Sequence, residues 1–201
     1  MCMSIDSIKL NITDIGSQYK DREIRARRLF IQDSPVAFSQ DRAREFEIKC
    51  QISDFFDIPY ASIKFCGSAQ LGYSVHKDRP FTRKSSDLDV AIISADIFQL
   101  IWKDLITTTR SFTDLSPFGY AQKAEVERLK SCISKRGMIN VSQLPNSKLK
   151  VKCDAFLHEL GQAHSDMFSK ITAAVYLNEY AFCWKQDAAL NEFIKGAADA
   201  K

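Results

Sequence analysis

The sequence predicts a helix-rich α/β protein, and three observations carry that reading. Ile48, Ile52, Phe55 and Phe56 fall at i, i+4, i+7 and i+8, one apolar stripe on a helix. Ser62-Ile63-Lys64-Phe65-Cys66 alternates polar and apolar, as a half-buried strand does. Val90-Ala91-Ile92-Ile93 is a continuous apolar run, the mark of an interior strand covered on both faces.

The 201 residues fit one domain and are enough to bury a sizeable core. Hydrophobic residues make up 45% and charged residues 26%, ordinary for a globular chain, and the net charge of +3 is too small to name a polyanionic partner. Residues 1–36 read as an N-terminal extension, 37–110 as the core and 111–201 as a mainly helical remainder. The start, Met1-Cys2-Met3-Ser4-Ile5-Asp6, has neither a basic region nor an apolar stretch of signal-peptide type. No apolar run approaches the roughly 20 residues that cross a bilayer. A cytoplasmic protein with no membrane partner is expected. The six cysteines form no Cys-x-x-Cys pair, and several have apolar neighbours, so buried reduced thiols are expected.

Taken in order, Asp21 to Arg28 is charge-dense and helix-compatible, read as a solvated helix face in preference to a phosphate-binding edge. Ser39 is a candidate N-cap for the helix that carries Ile48 to Phe56, with Asp41 complementing its dipole, and Pro59 ends it. Ser94 can cap a helix with Ile97, Ile101, Trp102 and Leu105 toward the core. Val126, Leu129 and Ile133 mark another, ended by Gly137. Residues 139–147, with Pro145-Asn146, read as a loop. Residues 148–154 alternate like a strand, yet Leu149, Cys153, Phe156, Leu157 and Leu160 also fit a helical stripe. From Ser165 a wide apolar face suggests a long helix, although Thr172 to Tyr176 alone can be a strand. Gly196 to Lys201 is expected to fray.

The chemistry gathers between Phe65 and Ile93. Gly67-Ser68 closes the first strand, and Ala69 to Gly72 can open a short helix whose amides cradle phosphate, Gly67 presenting no side chain. The segment from His76 to Lys84 holds four fixed positive charges, suited either to gripping a triphosphate or to keeping a loop soluble. Asp87 and Asp89 are two apart, so on a strand both carboxylates leave from one face. Such oxygen pairs suit Mg²⁺ or Mn²⁺.

Gly67-Ser68, Gly72 and Ser86-Asp87-Leu88-Asp89-Val90, in that order, resemble the signature of the DNA polymerase β-like nucleotidyltransferase superfamily. The resemblance covers residues 63–93. It implies a small mixed β-sheet flanked by helices, with the Gly-Ser on the turn after the first strand. It implies that Asp87 and Asp89 hold Mg²⁺ or Mn²⁺ and act catalytically, and that Gly67, Ser68, Gly72, Lys84 and Ser86 bind the NTP. The activity implied is transfer of a nucleoside monophosphate from an NTP to a hydroxyl on an RNA end, a protein or a small molecule. Bacterial toxin–antitoxin or phage-defence pairs are one setting, with a partner protein. The family also implies a third carboxylate from a later strand. Asp154 is the first candidate, a plain surface acid being its other reading, and Glu179 is the second. Without a third acid, the alternative is a catalytically inactive module of the same fold that binds nucleotide or a partner. His76, His158 and His164 share no metal-ligand spacing, and His158 and His164 read as helix-surface residues.

Overall fold

The strand that carries Asp89 and starts just after Asp87 lies inside a four-stranded mixed sheet. The computed structural model describes residues 5–119 and 123–199. β1 (Ile63–Cys66), β4 (Leu88–Ile93), β5 (Met138–Asn140) and β6 (Ile171–Tyr176) are ordered β1-β4-β6-β5. β4 runs antiparallel to β1 and parallel to β6, and β5 closes the far edge antiparallel to β6. A separate hairpin, β2 (Tyr73–Ser74) and β3 (Arg79–Pro80), carries the basic loop.

Helices cover both faces, so this is the small mixed sheet in a helix-rich α+β protein that was expected. On one face Phe65, Leu88, Val90, Ile92, Ile171 and Val175 pack with α3 (Arg42–Phe56), α5 (Ala95–Thr108) and α7 (Lys148–Ala163). On the other, Cys66, Ala91 and Tyr176 pack with α1 (Ile5–Gln18), α2 (Arg22–Arg27) and α8 (Glu179–Asp199). Alternation along each strand divides these sets, the period of 2 sending neighbours to opposite layers. α4 (Gly67–Leu71) is a single turn after β1, and α6 (Lys123–Arg136) ends at Gly137, whose φ of +56° a glycine adopts without a Cβ clash. Among the described residues no helix is long and apolar enough to cross a membrane.

Several local expectations are corrected. The N-cap of α3 is Asp41, whose carboxylate accepts from the Arg44 amide at 3.2 Å, and not Ser39. Within 148–154 the helical stripe prevails over the alternation: Ser147 caps α7 by accepting from the Lys150 amide at 3.1 Å, and Cys153, Leu157 and Leu160 are buried at i, i+4 and i+7. The predicted loop at 139–147 holds the last two residues of β5 and a 3₁₀ turn, Val141–Gln143. The long helix expected from Ser165 is instead a loop and then β6, because pairing with β4 and β5 satisfies its backbone on both sides. Trp102 lies on the outer side of α5 and is 37% exposed. His164 is not a surface residue: it is buried, its Nε2 has no hydrogen-bond partner among the described residues, and burial lowers its pKa. α8 continues through Asp199, and residues 200–201 lie outside those described.

The segment read as an extension forms one wall of the second core through Ile8, Ile12, Ile15, Leu29 and Phe30. Its charge run is not wholly solvated. Arg25 is buried and donates from Nε to Asp187 Oδ1 of α8 at 2.7 Å. The five described cysteines are free. Burial pushes Cys66 and Cys183 up to about 12 and Cys153 up to about 11, so each is an inert thiol.

Candidate nucleotide and metal site

The site forms where β1 ends and β4 begins, since antiparallel pairing lays those two ends side by side. Cys66 stands opposite Asp89 across that pair, and Thr172 stands beside Asp89 on the other flank, in parallel register. The Gly67-Ser68 turn therefore emerges directly against the Asp89 carboxylate. Gly67 has a φ of +64°, and a Cβ built there would come within 2.6 Å of Asp89 Oδ2. Glycine is needed twice over at this position, for the backbone conformation and for the space.

The two carboxylates are held by neutral hydroxyls. Ser169 Oγ donates to Asp87 Oδ1, and Thr172 Oγ1 donates to Asp89 Oδ1 at 2.8 Å. Lys170 Nζ lies 3.6 Å from Asp87 Oδ2, with both side chains partly in solvent. Asp89 Oδ2 accepts from no described residue. An ionised carboxylate is acceptor-only with about four lone-pair positions, so most of the pair's capacity faces outward. That donor set fits Mg²⁺, which commonly takes one or two carboxylates and completes its shell with water and substrate phosphate. Among the described residues, however, no group of three or more His, Cys, Asp or Glu gathers to hold a metal.

The other residues predicted for the site divide by what their groups already do. Ser68 is half-buried on the first turn of α4, and its hydroxyl bonds to no described residue. Gly72 closes α4 instead: its amide donates to Ser68 O at 2.8 Å, its φ is +77°, and its carbonyl accepts from the Phe81 amide at 2.9 Å. Ser86 is buried, and its hydroxyl accepts from the Thr82 amide at 3.0 Å, pinning the basic loop to the head of β4. Lys84 has a φ of +66° and an amide bonded to Met167 O at 2.9 Å, leaving its side chain exposed.

No protein-family model, curated protein or solved structure matches the chain.

A cavity of about 230 Å³ opens beside Asp89 on the α8 side of the sheet. Gly67, Ser74, His76 and Asn140 line it with Lys185 and Gln186 of α8. Its walls bring hydrogen-bonding groups and one ammonium to Asp89 from distant parts of the chain.

Neither acid named as a third ligand lies on a strand. Asp154 is exposed on α7 and accepts from Lys150 Nζ at 2.6 Å, an i,i+4 pair. Glu179 begins α8 and accepts from Arg27 Nε at 2.6 Å. The strand position beside Asp89 belongs to Thr172. Sequence reasoning passed over Ser169, Lys170 and Thr172, which contact the acid pair. The available signal was a Ser-Lys-x-Thr cluster before a short β-branched stretch, but parallel pairing across 83 residues leaves no local trace.

Proposed function

We propose that the chain is a metal-dependent nucleotidyltransferase moving a nucleoside monophosphate from an NTP to a hydroxyl acceptor. The observation that carries this is Asp89, two residues from Asp87, seated against a Gly-Ser turn whose missing Cβ makes room for its carboxylate. In this reading Asp87 and Asp89 hold Mg²⁺ or Mn²⁺, which when bound supplies Lewis-acid stabilisation of charge at phosphate. The free Ser68 hydroxyl and the amides at the start of α4 take the β- and γ-phosphates, anions that exposed N–H groups accommodate. Lys84 and the other cations of the 76–84 loop neutralise the outer phosphates. Ser169 and Thr172 orient the two carboxylates. Ser86 and Gly72 serve by fixing the loop and the turn, and they leave nucleotide contact to their neighbours.

Incubation with an NTP radiolabelled at the α-phosphate, Mg²⁺ and cell extract tests the proposal. A labelled acceptor is expected, and it should vanish in Asp87→Ala and Asp89→Ala. Nucleotide binding with no transfer to any acceptor overturns it. A second reading, a non-catalytic module that binds nucleotide or a partner protein, is favoured by Thr172 standing beside Asp89 where the resemblance implies a third carboxylate. The same experiment separates the two. A toxin–antitoxin or phage-defence pair is the setting the resemblance suggests.

A further inference from the structure

A second, larger groove of about 670 Å³ runs between α7 and the start of β6. Asp154, His158 and Gln162, at i, i+4 and i+8 of α7, form one wall. Ser169, Lys170 and Thr172 form the other, and these same three residues contact Asp87 and Asp89. Thr172 and Ala173 also line the smaller cavity beside Asp89, so the two spaces meet across the first residues of β6. An occupant of the groove thus touches the three residues that hold the acid pair, from the side opposite the smaller cavity, although neither Asp87 nor Asp89 itself lines the groove.

The lining states what kind of occupant fits. Serine and threonine hydroxyls, a glutamine amide and an imidazole both donate and accept hydrogen bonds, which suits the hydroxyls of a ligand, while Ala155, Leu157, Ile171 and Ala173 give apolar surface on which the C–H face of a sugar ring can lie. The Asp154 charge is already met by Lys150, so the wall makes no demand for a cationic ligand. Among the described residues Lys170 is the only ammonium in the lining, and no Phe, Tyr or Trp ring belongs to it. Single-stranded nucleic acid is held by a track of cations with successive aromatic stacking platforms, and one lysine with one imidazole makes neither a track nor a series of platforms.

We infer that this groove binds a neutral, hydroxyl-rich small molecule of sugar size. Its role as the acceptor site rests on the transfer reading above. In that role an acceptor hydroxyl oxygen bonds to the α-phosphorus of the NTP. The bond from that phosphorus to the bridging oxygen breaks, pyrophosphate leaves, and the hydroxyl proton passes to water.

Gly161 provides the test. It lines the groove, and a Cβ there meets only Ile171 N among the described residues, at an ordinary 3.6 Å, so the position has room for a side chain to start into the groove. Saturation-transfer NMR on the full chain uses maltose and a hexameric oligoadenylate as probes, and Mn²⁺–ATP binding is followed by electron paramagnetic resonance. The expected result is maltose binding that Gly161→Leu weakens by about tenfold or more, with Mn²⁺–ATP binding unchanged. Should Gly161→Leu fail to fold, the double variant His158→Ala with Gln162→Ala carries the same comparison. No maltose binding, or maltose binding indifferent to these variants, overturns the inference. Oligoadenylate binding lost in Gly161→Leu, without maltose binding, overturns it in favour of RNA. Maltose binding without Mn²⁺–ATP binding overturns the transfer reading and supports the groove as a sugar site.

Discussion

Replacing Gly67 with alanine puts a single methyl group where the fold and the acid pair meet. Alanine at a φ of +64° is held in the left-handed region, which costs about 1–2 kcal/mol. The new Cβ would lie 2.6 Å from Asp89 Oδ2, so the carboxylate must retreat by roughly 1 Å to reach ordinary contact. That rotation draws Oδ1 away from Thr172 Oγ1, now 2.8 Å distant, forfeiting a hydrogen bond worth about 1 kcal/mol. The total is about 2–3 kcal/mol, read by urea denaturation followed by circular dichroism. Gly72→Ala is the control. Its φ of +77° imposes the same backbone strain, and its Cβ would meet Val36 Cγ1 at 2.9 Å, away from the acids. Both variants are expected to lose stability, but only Gly67→Ala should also lose Mn²⁺ affinity. A Gly67→Ala protein as stable as wild type refutes the steric reasoning. One that is destabilised yet binds Mn²⁺ undiminished refutes the link between turn and carboxylate.

Thr172→Asp places a third carboxylate beside Asp89; at a separation of roughly 4 Å it costs about 1–4 kcal/mol without metal, across effective dielectrics of ~80 to ~20. The melting temperature should fall in chelator and recover with Mn²⁺, and a fall that metal does not reverse argues against a cation at this position. Asp187→Ala strands the Arg25 guanidinium, where the two residues are 1% and 5% exposed, and should cost about 3–5 kcal/mol in urea titration. His164 supplies a pH dependence. Burial lowers its folded-state pKa below the unfolded value near 6.5, so the unfolded chain binds more protons as the medium acidifies. Its contribution is fully present above about pH 6.5 and is lost as pH falls through the lowered folded-state pKa. His164→Gln should flatten that part of the stability profile, and an unchanged slope would assign it to other groups.

Much of this protein is local physics and could be read along the chain. The stripe of Ile48, Ile52 and Phe56, the Ser94 cap, the Gly137 stop and the apolar run of β4 each follow from the spacing of a few neighbouring side chains. So does the order of turn, basic loop and acid pair, because every part of it lies within about 30 residues. What tertiary structure decided is everything that depends on which strand lies beside which. The alternation of 148–154 suits a strand, but the buried face of α7 and the Ser147 cap make it a helix. The stretch from Ile171 to Tyr176 suits a helix or a strand, and a place between β4 and β5 makes it a strand. That one pairing puts Thr172, and no acid, against Asp89. The residue types of the candidate site were legible because their motif is contiguous. Their supporting neighbours were not, because parallel strands are joined only through a distant crossover and leave no mark in nearby sequence.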